Sequence, residues 1–430
     1  MPALKRSSKR VICWVSACCP LSWRVLLIAV PGAVLATEPP ADTLPPLPEP
    51  LTLQAALAAV PADHPELLLA AAERDLARAE QEAADALTGL RASAFAEGRI
   101  IEPSSLAPES SRNDSRATVL ASKRLYDFGR SRSTRVAAEA DYSGSRLDYR
   151  DTAYHHRLAV IARYLDVLLA DLAYMVENEA MAIVFVRLDE MRDRHELGQV
   201  SDVELLEQET RYQETRIRRY RAEADQRTTR TRLARALGRP DHPPGDLVPP
   251  PLTGLEQELP ALPALQTTAL EHNPAVRAAR AEVEAGLERL EAARAGRRPV
   301  LTGEVEAGRY VRDFGSRDEW RASVILEVPL LTGGTVKADV AHARGELKRA
   351  RAELARRRFA LQERLHELYE QIQVLQAQRD EAWTRQDYRD LYLDRSRALY
   401  EMEVETDLGD AMVESTRARL LAAEVEYQLL

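Results

Sequence analysis

Cysteine is almost missing: the chain has 430 residues, and its three cysteines (Cys13, Cys18 and Cys19) all lie near the start. The rest therefore has no thiol, disulfide or cysteine-ligated metal. Aromatic residues make up only 5% and glycine only 18 positions, which excludes a large sheet-rich core. No apolar run reaches the roughly 20 residues a membrane-spanning helix needs. An excess of positive charge is also missing, with 59 basic residues against 68 acidic ones. Five of the basic residues (Lys5, Arg6, Lys9, Arg10 and Arg24) sit in the leader, so the remainder carries 54 against 68, a net of −14. That balance excludes nucleic acid as the expected partner. What is present is abundant Ala, Leu, Glu and Arg, the composition of long helices.

Residues 1–24 are basic and free of acids, and Val25 to Ala36 (VLLIAVPGAVLA) is an apolar run ending in the small-residue pattern Val34-Leu35-Ala36. The segment 1–36 reads as a secretory signal peptide cleaved after Ala36. Val15-Ser16-Ala17-Cys18 resembles a lipobox, and lipidation at Cys18 is the competing reading. It would strand the apolar run on the mature chain, whereas cleavage after Ala36 removes it.

Beyond a Pro-rich segment (37–50) the sequence is written twice. A first repeat spans 51–238 and a second spans 264–430, separated by a linker (239–263) whose prolines forbid a continuous helix. Each repeat opens with a helical stretch, Leu51–Leu87 with His64-Pro65 and Leu262–Arg297 with Asn273-Pro274. Each continues into a β-hairpin, 91–127 and 300–331. In the second, Trp320, Ala322, Val324, Leu326, Val328 and Leu330 alternate with Arg321, Ser323, Glu327 and Pro329, a period of two broken only by Ile325. Asp313-Phe314-Gly315-Ser316 supplies the turn. Arg91–Glu102 and Arg116–Asp127 alternate poorly and are assigned from the repeat. A long proline-free helical pattern follows each hairpin, with Val340, Leu347, Leu354, Leu361, Leu368 and Leu375 at heptad spacing and Leu158, Leu165 and Leu172 interleaved with Ile161, Leu168 and Met175. Seven-residue spacing implies left-handed coiled packing. Each long helix then turns back, through Leu197-Gly198-Gln199-Val200-Ser201 and through Glu401-Met402-Glu403-Val404-Glu405-Thr406, into the helical hairpins 130–237 and 336–430.

Amphipathic strands of about ten residues suit a transmembrane β-barrel, and an open sheet edge cannot face lipid. Four strands cannot close alone, so copies must pool strands around an axis, with the helices pooled below. At this point the chain resembles the TolC-like outer membrane efflux proteins. The resemblance rests on the tandem halves, His64-Pro65 and Asn273-Pro274, Pro329-Leu330-x-x-Gly333-Gly334, Gly198-x-x-Ser201-Asp202-Val203, and Ala236-Leu237-Gly238 closing the first half. It implies a mainly α fold with a small β part. Long helical hairpins form a periplasmic α-barrel, and four strands per protomer contribute to a trimeric 12-stranded barrel among outer-membrane lipids. It further implies an exit duct for solutes or polypeptides that works with a periplasmic adaptor and an inner-membrane pump. Leu197 to Ser201 and Glu401 to Thr406 would be the docking tips. Asp407 and Asp410, one helical turn apart, resemble the aspartates of the family's periplasmic constriction, and Asp202 resembles one that latches neighbouring hairpins. The chain departs from the pattern at Met402 and at Arg124-Leu125.

Enzymatic chemistry finds no support, so no catalytic, cofactor or metal residue is expected. His155-His156 point about 100° apart on a helix, and neither His195-Glu196 nor His366-Glu367 has the second histidine of a zinc-protease helix. Asp127-Phe128-Gly129 and Asp313-Phe314-Gly315 stand without the phosphate-binding loop a kinase needs. A periplasmic adaptor or another coiled-coil envelope scaffold is the alternative function. It accounts for the heptads but not for the hairpins or the duplication. N-terminal analysis of the mature protein should find Thr37 first; a lipid-modified Cys18 would refute the cleavage.

Overall fold

The computed structural model describes residues 46–104, 109–255, 257–312, 318–402, 404 and 407–430. The leader, the Asp313–Ser316 turn, Glu403, Glu405 and Thr406 lie outside them. The architecture described below is that of residues 47–430.

Two repeats of the same order are plain. In the first, α1 (Leu53–Ala58) and α2 (Pro65–Asp85) lead into β1 (Arg91–Glu97) and β2 (Arg116–Tyr126), then α3 (Arg130–Glu196) and α4 (Asp202–Ala236). In the second, α5 (Leu262–His272) and α6 (Pro274–Arg294) lead into β3 (Val300–Tyr310) and β4 (Trp320–Glu327), then α7 (Thr335–Glu401) and α8 (Leu408–Leu429). The two long helices are both 67 residues, about 100 Å at 1.5 Å per residue. The shared sequence signals do the same work in each copy. Pro65 and Pro274 occupy the first helical position, where a missing N–H costs nothing, behind the side-chain caps His64 and Asn273. Gly129 (φ 101°) and Gly334 (φ 88°) start the long helices from the left-handed region. Before them stand Phe128 (φ 54°) and Gly333 (φ 56°). Phe128 holds this costly conformation through a bond from Arg298 Nη1 to its carbonyl at 2.6 Å and an edge-on contact with Tyr126.

The strands form one antiparallel sheet in the order β1-β2-β3-β4. Two are shorter than the sequence suggests. β1 ends at Glu97 rather than 102, leaving the isolated bridge Ile100–Asn113. β4 ends at Glu327, because Pro329 has no N–H to give the ladder. Leu51 also departs from the helical reading. It forms a short parallel bridge with Leu247 of the proline-rich linker, donating to Asp246 O at 2.8 Å and accepting from Val248 N at 2.9 Å.

The helices make a layer whose order follows from their contacts. α3 packs on α2, α4, α6 and α8, while α7 packs on α5, α6 and α8. The sequence across the layer is therefore α2/α4, then α3, then α6/α8, then α7. Along α3, α2 and α4 lie end to end: Arg135 lies 3.9 Å from Asp85 of α2, Arg230 of α4 is 2.6 Å from Asp171, and Arg218 is 3.1 Å from Glu177. The principal core fills the seam between them, with Leu51, Val160, Tyr164, Leu165, Leu168, Leu233 and Leu237. Tyr164 is fully buried, and its hydroxyl lies 2.7 Å from the carbonyls of both Leu51 and Val248. That bond pins the linker to α3.

At the end of α4, Gly238 has φ +71°, and a Cβ there would stand 2.8 Å from Pro61 Cγ and 3.5 Å from His64 Cδ2. Gly238→Ala should therefore lower stability by about 2 kcal/mol, from left-handed strain and displacement of the α1–α2 turn together. A thermal melt followed by circular dichroism would show it as a clear fall in Tm.

Candidate functional site

Directly paired residues of an antiparallel sheet share a face, so the register sorts the wall. One face carries Ala92, Ala94 and Ala96 from β1 and Ala117, Val119 and Ala121 from β2. It continues with Leu301, Val305 and Ala307 from β3 and Trp320, Ala322, Val324 and Leu326 from β4. Lys123 and Arg309 interrupt it near its two ends. Val305, Val324 and Trp320 are exposed on this face, which matches a lipid-facing band. The opposite face carries Arg91, Ser93, Glu97, Arg116, Ser122, Glu304, Glu306, Arg321 and Ser323, with ion pairs Arg116–Glu97 (2.8 Å) and Arg321–Glu306. This is the arrangement of a water-lined wall. Phe95 and Leu120 fall on the polar face, while alanine, the smallest apolar side chain, dominates the apolar one. This explains why β1 and β2 alternate weakly in sequence.

About 100 Å from the strands, the α3–α4 turn is built from strong local signals. Gly198 (φ 72°) ends α3, with Gly198 N bonded to His195 O and Gln199 N to Arg194 O, both at 2.9 Å. Ser201 and Glu204 then form a reciprocal capping box. Ser201 is thus the cap of α4. The backbone and side-chain bonds from Ser201 hold the Glu204 carboxyl below its ordinary range. Asp202 pairs with His195 Nε2 at 2.6 Å, inside its own hairpin. Leu197 and Val203 are exposed at this tip.

At the second tip, Met402 ends α7 and Val404 N bonds Leu399 O at 3.0 Å. Asp407 stands at the N-cap of α8 without a side-chain cap bond; its Oδ2 accepts from Tyr392 Oη at 2.9 Å instead. That bond, followed by the nearby carboxylate charge, pushes the Tyr392 hydroxyl up. Asp410 reaches the other hairpin, pairing with Arg187 of α3 at 2.7 Å. One residue earlier, Gly409 lets α8 approach closely: a Cβ there would meet Ile183 Cγ2 at 2.8 Å. The two aspartates one turn apart therefore engage different helices, and Arg187 and Tyr392 are partners of theirs that sequence reasoning missed.

At the α2–α4 seam, His64, Glu66 and His156 come together, with each contributing an atom within 4.8 Å of the others. Sequence inspection compared His156 only with its neighbour His155 and so could not find this group.

The sequence profile described as "Outer membrane efflux protein" matches residues 56–239 and 265–430. No curated protein matches. The fold is similar to that of VceC from Vibrio cholerae, at 16% identity over 88% of this chain and 92% of that one, with TM-score 0.69. It is also similar to CmeC from Campylobacter jejuni (16% identity, 88% and 83% covered, TM-score 0.71). A third similar structure is the open state of MtrE from Neisseria gonorrhoeae (19% identity, 88% and 86% covered, TM-score 0.65). With its polar and apolar sheet faces and its long helical hairpins, the chain belongs to the outer membrane efflux protein family, as a channel-forming protein of the outer membrane that extends into the periplasm.

Proposed function

We propose that three copies close into a single exit duct that receives cargo from an inner-membrane pump through a periplasmic adaptor. The observation that carries this reading is the agreement of edges. β1 and β4 bound the sheet, and α2/α4 and α7 bound the helical layer. The same two sides of the protomer are unfinished at both levels. Both helical edges expose apolar groups, Leu69 and Leu76 on α2 and Phe359 and Leu391 on α7. They also differ in charge. α2 carries Glu66, Glu73, Asp75, Glu80, Glu82 and Asp85 against Arg74 and Arg78, whereas residues 335–358 of α7 carry eight basic groups against three acidic ones. Opposite signs at the two edges favour α7 of one copy against α2 of the next, a heterologous contact that closes into a ring. The family supplies the number three.

In this reading the repeats 51–238 and 264–430 each contribute one β-hairpin and one helical hairpin, and 239–263 connects them. Leu197 to Ser201 and Glu401 to Thr406 form the adaptor-facing tips. Asp407 and Asp410 belong to the narrow end, where rings of carboxylates attract cations. The Arg187–Asp410 pair joins the first and second hairpins of one copy. Asp202 is a local partner of His195 and takes a lesser part in the gate.

Membrane embedding is tested at two neighbouring positions on opposite faces. Val305 pairs with Ala121 and Ala322, and Ser323 pairs with Glu304. Val305→Arg should impair insertion by about 2 to 4 kcal/mol, the cost of a charge at the lipid midplane. Ser323→Arg should insert normally, and equal behaviour of the two would contradict the face assignment.

The gate is tested in planar bilayers. Asp407→Ala combined with Asp410→Ala should raise conductance and weaken block by di- or trivalent cations from the periplasmic side. Unchanged conductance and unchanged block would place the constriction elsewhere.

A further inference from the structure

His64 and His156 are both buried, and although they lie 92 positions apart their rings meet with centroids 4.2 Å apart and planes tilted by 46°. Three helices bring them there. His64 caps α2, Glu66 sits in the first turn of α2, and His156 projects from the middle of α3. The last turn of α4 supplies two successive backbone carbonyls. His64 Nε2 lies 3.2 Å from Arg235 O, and His156 Nε2 lies 3.0 Å from Ala236 O. A carbonyl can only accept, so both Nε2 atoms carry their hydrogens. Both Nδ1 atoms are turned to the same small region. His64 Nδ1 is 3.4 Å from the Glu66 amide, and His156 Nδ1 is 2.9 Å from Glu66 Oε2.

Imidazoles whose far N–H is fixed to a backbone carbonyl while the near nitrogen is turned toward a shared point are what metal-ligating histidines show in their outer shell; here a cation would replace the long capping bond from the Glu66 amide to His64 Nδ1 and the contact between His156 Nδ1 and Glu66 Oε2. We propose that His64, Glu66 and His156 form a binding site for a divalent transition cation of the zinc class. Two nitrogens and one carboxylate oxygen leave a fourth position open, as in zinc sites of the two-histidine, one-glutamate type. That position faces the groove lined by Ala159, Arg163 and Pro240. The His156–Glu66 separation is already short, and Glu66, being exposed at a helix start, can swing the remaining distance. The ion takes the place of the direct contact between His156 Nδ1 and Glu66, so that both become its ligands.

The surroundings select the ion's chemistry. Arg163, Arg232 and Arg235 line the same groove and oppose cations held by charge alone. Calcium and magnesium, which depend on oxygen ligands and charge, are disfavoured; zinc, copper and nickel, which bond to imidazole nitrogen, remain. Once bound, the ion ties α2 to α3 at the point where α2 gives way to α4. All five groups belong to one copy, so the site exists whether or not the chain assembles into a ring.

The test uses untagged, full-length protein in detergent, titrated with zinc alone in competition with a chromophoric chelator. Eight histidines are present in the chain, so variants rather than stoichiometry decide the location. One zinc per chain is expected in the unchanged protein. Glu66→Gln, at an exposed position that leaves the fold intact, should weaken binding roughly tenfold or more, at least what loss of an outer-shell partner costs. His64→Asn and His156→Asn should each abolish it. Cobalt should give tetrahedral visible bands in the unchanged protein that Glu66→Gln shifts or removes. Zinc uptake that is missing in the unchanged protein, or that stays at the unchanged protein's level in both Glu66→Gln and His156→Asn, would overturn the proposal and leave the cluster a hydrogen-bonded staple only.

Discussion

Backbone hydrogen bonding at the two ends of a four-stranded sheet governs this molecule. The outer sides of β1 and β4 carry N–H and C=O groups that have no partner within the sheet, and hydrocarbon offers them none. One face of that sheet is apolar on all four strands except where Lys123 and Arg309 interrupt it near the ends, so it belongs in hydrocarbon, and the proposed ring of copies is what would satisfy the edges. The helical layer inherits the requirement because each long helix follows a strand through a short connection that ends in two left-handed residues. Its unfinished sides are therefore the sheet's unfinished sides, and the opposite charges of α2 and the start of α7 follow the same division.

Within a copy, α3 is the spine. Most of its stability comes from packing of its faces rather than from helix propensity. It is covered on one side by α2 and α4 in succession and on the other by α6 and α8. The break between α2 and α4 would be the weak point, and the chain concentrates its largest buried cluster there, with Tyr164 holding the linker and His64 and His156 closing the ends of two helices. The proline-rich linker, read from sequence as a simple separator, is packed against this core because its backbone at 246–248 pairs with Leu51.

Much of this was legible in residue order. The duplication, β3 and β4, the glycine turns and the long helices all follow from local signals: prolines at helix starts, glycines in left-handed positions, and alternation where one face is bulky and the other charged. β1 and β2 were weak because Ala92, Ala94, Ala96, Ala117 and Ala121 contrast little with polar neighbours, so burial cannot be read from them. Heptad positions gave the helix but not its partners: Leu165, Leu168, Leu347 and Leu375 are buried, while Leu158, Leu368 and Met175 remain exposed. The tip and seam contacts were illegible for a different reason. Arg187 meets Asp410, Tyr392 meets Asp407, and His64 meets His156 across separations that no local pattern encodes; only the folding of one repeat against itself or its copy creates them.

The equal lengths of α3 and α7 carry a consequence for how such a chain can vary. One residue inserted into a helix advances everything beyond it by 1.5 Å and turns it by about 100°. An insertion in α3 alone would shift Gly198 and Ser201 along the axis relative to Met402 and Asp407 and would rotate Arg187 away from Asp410. Viable length changes are therefore coupled: residues must be gained or lost in both long helices at matching depth, and in whole multiples of the heptad. The two halves of the chain are held to a common ruler, free to diverge in composition but not in count.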